Sequence, residues 1–271
     1  MRARCLLPLL LRFCCVSAVS LTAVELPVGE TSAVPALVGG AKGAPAVIVI
    51  QEWWGVTPQI QAHALRLAKE GYRVLIPDVY KGEVGADAEE AHHLMSSLDF
   101  SAAVGEIASA ASYLRAEGSP RVGVVGFCMG GALTMGSLAA SADIACGAPF
   151  YGVNFDLFDA AALAEKPVQG HFGMLDSMTG FSDPGTGKKL EADLIAGGNT
   201  RAKVFLYEGV GHAFMNESPA PFESFEARAE KMGFPAYDSK RAELAWDRLL
   251  SFFDDHLKPQ GFDVRGLSGE L

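Results

Sequence analysis

Apolar residues along this chain follow two alternating rhythms. Short runs that are apolar almost throughout predict buried strands at Ala46–Ile50, Arg73–Ile76, Arg121–Val125, Cys146–Tyr151, Val168–Phe172 and Lys203–Tyr207. Longer stretches, several with apolar positions three and four residues apart, predict helices at Ile60–Glu70, Asp87–Ser97, Ser101–Glu117, Gly130–Ala140, Gly187–Ala196 and Ser239–Leu257. In the last of these Leu244, Leu249, Phe252 and Phe253 form one stripe, and the charges between them face water. Strand and helix therefore alternate, which predicts an α/β fold with a mostly parallel central sheet and helices on both faces. Such a sheet places ligands at the carboxyl ends of its strands. The loops after Ile50, Val125, Phe172 and Tyr207 are where chemistry is to be sought.

The rhythm defines one body over residues 46–258. A lead-in at 24–45 precedes it, Gly/Pro-rich from Val38 to Pro45, and a tail at 259–271 follows. Residues 1–23 read differently: Arg2 and Arg4, a nearly unbroken apolar run from Cys5 to Leu11, small residues around Ser17, Ala18 and Ala23, and no acid before Glu25. That pattern predicts a cleaved targeting segment, secretory or organellar, and so a secreted or organellar protein; without such a segment it would be cytoplasmic. Arg12 interrupts the apolar run and keeps the organellar reading open, beside the plain alternative of a frayed helix.

Composition narrows the function. A chain of 271 residues that is 49% hydrophobic can bury one large core and is not generally disordered. With 22 Lys plus Arg against 32 Asp plus Glu the formal charge is −10, the wrong sign for a phosphate backbone, so nucleic acid is not an expected partner. No stretch of the body is apolar enough to span a bilayer. Cys5, Cys14 and Cys15 precede the body, which holds Cys128 and Cys146 without a Cys-x-x-Cys pair. His92 and His93 would point about 100° apart on a helix. No metal site is expected.

The loop after the third predicted strand reads Gly126-Phe127-Cys128-Met129-Gly130-Gly131. It is a nucleophile elbow with Cys in place of Ser, and its glycines are needed because the turn is too tight for a side chain two positions either side of the nucleophile. Cys128 then sits at a helix N-terminus, where free N–H groups and the helix dipole favour a thiolate. The competing readings are a small buried hydrophobe and, from Gly123, Gly126 and Gly130, a loose dinucleotide turn; the latter normally follows the first strand of a domain. The base is His212, in Gly211-His212-Ala213-Phe214 after the last core strand. His171 is its rival, read as a structural histidine on an apolar strand. The orienting acid is Asp176, in the loop after Phe172, with Asp183 the alternative. The chain order of nucleophile, acid and histidine is that of α/β-hydrolases. Glu52, in Gln51-Glu52-Trp53-Trp54-Gly55, is a carboxylate between apolar neighbours that must find a partner. The backbone N–H groups of Trp53 and Met129 are positioned to form an oxyanion hole.

These motifs, with Pro77-Asp78-Val79-Tyr80 and Tyr151-Gly152, resemble the dienelactone hydrolase family, including its carboxymethylenebutenolidase-like members, over residues 44–258. The resemblance implies an α/β-hydrolase fold and a Cys-Asp-His triad at Cys128, Asp176 and His212. It also implies a role for Glu52, whose carboxylate would disfavour the thiolate until substrate displaces it. Neither a metal nor an organic cofactor is required. Family members that act on dienelactone hold the substrate carboxylate with two arginines, where this chain has Ala88 and Asn216, and His92 replaces a tyrosine one turn along the same helix. A less cationic pocket follows, suited to a neutral ester, lactone or thioester, with His92 or Lys81 as partial compensation. The expected activity is cysteine-dependent hydrolysis of a small ester or lactone by a monomer or small homo-oligomer. The alternatives are thioester hydrolysis or acyl transfer by the same triad, and a ligand-binding protein on a hydrolase scaffold.

Overall fold

The computed structural model describes residues 19–29 and 32–258. Most of the predicted targeting segment, at 1–18, and the tail at 259–271 lie outside the described residues. Eight strands form one sheet: β1 (Thr22–Val28), β2 (Ser32–Gly39), β3 (Ala46–Ile50), β4 (Arg73–Pro77), β5 (Val122–Phe127), β6 (Ile144–Phe150), β7 (Val168–Gly173) and β8 (Ala202–Tyr207). Their spatial order is β1-β2-β4-β3-β5-β6-β7-β8. From β4 to β8 every pairing is parallel, whereas β2 runs antiparallel to both β1 and β4.

Five α-helices connect the strands, α1 (Pro58–Lys69), α2 (Ala88–Ser97), α3 (Phe100–Ala116), α4 (Met129–Ala140) and α5 (Pro184–Ala196), and two follow the last strand, α6 (Phe225–Met232) and α7 (Ser239–Leu257). Most start where a short polar side chain caps them. Thr57, Asp87, Asp99, Asp183, Ser224 and Asp238 each accept a hydrogen bond from a first-turn amide, which satisfies a donor with no partner inside the helix. α4 is the exception. Its first turn follows Cys128, which makes no side-chain cap; Gly131 N–H turns back to the Cys128 carbonyl at 2.8 Å, and the Met129 amide is left to face the strand ends.

The six predicted strands and six predicted helices all form, with ends displaced by at most three residues. Residues 22–28 and 32–39, assigned to the targeting segment and lead-in, form the antiparallel pair β1–β2 at the sheet edge. Val34, Ala36 and Val38 are buried in alternation with more exposed residues, the period-two pattern of a strand with one wet face. Their neighbours Pro27, Pro35 and Gly39 hide that pattern; Pro27 lies on the edge strand β1, and Pro35 lies just before the β2–β4 register, which begins at Ala36. α6 was also not anticipated.

Each strand sends alternate residues to opposite faces. Ile48 and Ile50 join one core layer with Ile107 and Leu114 of α3, Leu133 and Leu138 of α4 and Leu190 of α5. Val47 and Val49 join the other with Ile60 and Leu67 of α1 and Trp246, Leu249 and Phe253 of α7. Apolar burial at roughly 25 cal/mol per Å² on both faces is what holds the carboxyl ends of β3, β5, β7 and β8 in one row. Among the described residues no helix is long and apolar enough to cross a membrane.

Candidate active site

The turn from β5 to α4 holds Cys128 at φ 55°, ψ −117°, a backbone conformation that a side-chain-bearing residue rarely adopts. Close packing enforces it. A Cβ on Gly126 would lie 2.0 Å from the Gly130 carbonyl oxygen, and one on Gly130 would lie 2.5 Å from that of Gln51. The strand, elbow and helix can meet only where both positions are glycine. Cys128 N–H donates to the Phe150 carbonyl at 3.0 Å, which anchors the turn to β6.

Three loops bring partners to the sulfur. His212, after β8, places Nε2 at 3.1 Å from Cys128 Sγ. Its Nδ1 lies 2.7 Å from Oδ2 of Asp176, in the loop after β7, and 3.0 Å from the Ser182 hydroxyl. The other oxygen of Asp176 accepts from Met178 N–H at 3.0 Å, which fixes the carboxylate plane. All of these side chains are buried. Burial alone pulls the His212 imidazole down and is the largest single influence, but the Cys128 sulfur and the Asp176 carboxylate outweigh it and raise the group to about 10. An imidazole that keeps its proton favours negative charge on the sulfur it faces.

Glu52, just beyond β3, is also buried, and burial pushes its carboxyl above the usual range. Asn216 Nδ2 donates to one oxygen at 2.9 Å and the Tyr151 hydroxyl to the other at 3.3 Å. Among the described residues these are its hydrogen-bond partners, and the thiol is not one of them. The Met129 and Trp53 amides have no hydrogen-bond acceptor among the described residues. They are free for a developing oxyanion. The sulfur opens into a cavity of about 310 Å³ whose wall includes Trp53, Met95, Met178, Met232, Phe234 and His92. Among the described residues no three His, Cys, Asp or Glu side chains group as metal ligands do.

The rival residues are accounted for elsewhere. Asp183 caps α5, accepting from Gly180 N–H, Gly185 N–H and the Thr186 hydroxyl. His171 is fully buried, stacked on Phe150 at 4.1 Å with Nδ1 2.7 Å from the Tyr207 hydroxyl, and burial holds its imidazole well below the ordinary value. Cys146 is buried in β6, where burial pushes its thiol up. Lys81 pairs with Glu106 on α3 at 2.5 Å. Two contributors had not been anticipated. One is Ser182, the second neighbour of His212 Nδ1. The other is Arg228 on α6, a buried guanidinium whose charge acts on Glu52 and Tyr151. Its Nη2 donates to the Pro235 carbonyl at 2.9 Å and its guanidinium lies over the Phe225 ring, while Nε and Nη1 have no hydrogen-bond partner among the described residues. The positions Ala88 and Asn216 bring no cation, and Arg228 supplies one behind Glu52 and Tyr151 without lining the cavity over Cys128.

A sharp strand-to-helix turn carrying a nucleophile, with a histidine and an acid on later loops of a mostly parallel sheet, defines the class of α/β-hydrolases. Within that class, residues 34–257 match the model of the dienelactone hydrolase family, and the chain belongs to it. It is 30% identical over 230 residues to Protein usf of Aquifex pyrophilus, covering 79% of this chain and 90% of that protein. It is 29% identical over 231 residues to the carboxymethylenebutenolidase of Pseudomonas putida, covering 80% and 89%. Among solved structures, a dienelactone hydrolase-like promiscuous phosphotriesterase from metagenomic libraries superposes with a TM-score of 0.72 at 20% identity, over 89% of this chain and 100% of that one. The dienelactone hydrolase of Anabaena variabilis gives 0.59 at 18%, with the same coverage. The family places the chain among hydrolases of ester and lactone bonds.

Proposed function

We propose that the protein hydrolyses a small, neutral ester or lactone through an acyl-enzyme on Cys128. The observation that carries this reading is the line of contacts from Asp176 Oδ2 to His212 Nδ1 at 2.7 Å and from His212 Nε2 to Cys128 Sγ at 3.1 Å. The thiolate attacks the substrate carbonyl carbon and its electron pair forms the S–C bond. The carbonyl oxygen takes up negative charge against the Met129 and Trp53 amides. His212 gives its proton to the leaving alkoxide or enolate as the C–O bond breaks. Water then attacks the thioester, His212 accepts its proton, and the acid departs with the thiolate restored.

Asp176 holds the imidazole so that Nε2 faces the sulfur, and stabilises the imidazolium. Glu52 would act before chemistry, its charge disfavouring the thiolate until substrate displaces it. A neutral substrate is favoured by the methionine and aromatic wall of the cavity. Arg228 favours a second reading, a carboxylated ester or lactone, because two of its nitrogens lie buried without an acceptor among the described residues. Steady-state hydrolysis of a carboxylated dienelactone, a neutral lactone and a short aryl ester tests the choice, with Cys128→Ala as the control. Turnover of the neutral substrates that is lost in Cys128→Ala is expected. Preference for the dienelactone, lost on Arg228→Leu, would transfer the assignment to the carboxylated class.

A further inference from the structure

The space beside the thiol does not end at the cavity over Cys128. A second compartment of about 350 Å³ lies on the far side of Met95 and Phe181, which line both. Its floor is Met129 and Ala132, on the first turn of α4, so the turn that presents the sulfur also shapes this compartment. Phe100 and Val153 continue the wall, and Asn154 and Asp156 stand at its polar end.

The partition between the compartments is soft. Met95 is half-buried, unbranched and able to repack at little cost. Phe181 is also half-buried, while its backbone is pinned by hydrogen bonds to Val153 and Met178. Its ring can turn without moving the loop. The lining also has a chemical preference: its charged member is the exposed Asp156, the Lys189 ammonium over the Phe155 ring is paired with Asp193, and the Asn154 side-chain oxygen is already engaged by Asp156 N–H at 3.0 Å. An apolar arm would be received there, and a carboxylate would meet an acid.

We propose that the outer compartment is a substrate subsite, and that the substrate is an elongated ester or alkyl-substituted lactone. Its carbonyl sits at Cys128 and an uncharged apolar arm passes between Met95 and Phe181. The inference rests on the Cys128 hydrolase reading above and adds the shape and charge of what is hydrolysed.

The test is a series of p-nitrophenyl esters from acetate through butyrate and hexanoate to octanoate, with the ω-carboxylate of the longest, on the full chain. Each methylene seated out of water is expected to raise kcat/KM about fourfold until the compartment fills. The ω-carboxylate is expected to lose most of that gain. Ala132→Leu, which projects into the outer compartment, is expected to collapse the octanoate-to-acetate ratio. If Ala132→Leu does not fold, Asn154→Leu blocks the same space from the opposite wall. A flat profile in the wild type, or an unchanged ratio in a folded blocking variant, overturns the subsite while leaving the thiol hydrolase intact. Absence of turnover at every chain length overturns both.

Discussion

Gly130→Ala probes the link between the elbow and catalysis. A Cβ at this position would stand 2.5 Å from the Gln51 carbonyl oxygen and 2.7 Å from that of Ile50, both backbone atoms that cannot rotate aside. Ordinary contact begins at 3.4 Å, so relief requires β3 and the start of α4 to separate by about 0.9 Å, the difference between 3.4 and 2.5. Those two segments carry the Trp53 and Met129 amides, and an oxyanion donor acts only within about 2.7–3.1 Å of the oxygen. The wedge therefore removes one donor from reach. We expect kcat to fall by about 10²–10³-fold, as loss of one such donor does, and overpacking to cost about 1–3 kcal/mol of stability. Hydrolysis of a short aryl ester and a denaturant melt measure the two effects. Activity within twofold of the wild type in a folded variant would mean that the β3–α4 contact does not set the oxyanion geometry.

Three further perturbations report on separate parts of the site and core. Asp176→Asn keeps the shape of the acid but cannot stabilise the imidazolium, so kcat should fall on the order of 10⁴-fold with the circular dichroism spectrum unchanged; a loss below tenfold would remove Asp176 from the triad. Glu52→Gln removes the carboxylate proposed to disfavour the thiolate, and iodoacetamide should alkylate Cys128 faster; an unchanged or slower rate would remove the restraining role of Glu52. His63, packed between Phe127 and Trp246, is lowered by burial from 6.5 to about 3. The unfolded chain therefore binds a proton in this window that the folded chain does not, and stability is full above 6.5 and declines as pH falls toward 3. At pH 5 the loss from this residue is about 2 kcal/mol, and His171 adds to it with the same sign. Urea melts at pH 7 and pH 5 should show a shallower acid decline in His63→Leu, whereas an equal decline would place the proton uptake elsewhere.

The meeting of Cys128, Asp176 and His212 was legible because its signals are local. Glycines at fixed offsets around Cys128, between a valine-rich strand and an alanine-rich helix, encode a turn whose steric reason the structure repeats atom by atom. Asp176 and His212 follow successive strands, so sheet order alone brings them to the same end. Glu52 could be read as a buried carboxylate, but its partners could not be named, because Asn216 lies 164 residues away and Tyr151 lies 99. Ser182 sits in a loop with no pattern, and only the fold brings it to His212. Arg228 was hidden because α6 has just eight residues and Arg228 is its one buried side chain, so no apolar stripe marked the helix. The β1–β2 pair was hidden because short strands with proline and glycine resemble coil until their pairing is known.

The central claim is that Cys128 carries the acyl group. Mixing the protein with a short aryl ester, quenching in acid within the first turnovers and mapping peptides by mass spectrometry tests it directly. The acyl mass is expected on the Cys128 peptide, with greater accumulation in a variant slowed in deacylation, and neither adduct nor turnover in Cys128→Ala. Turnover that persists in Cys128→Ala, or an adduct on another residue, would contradict it.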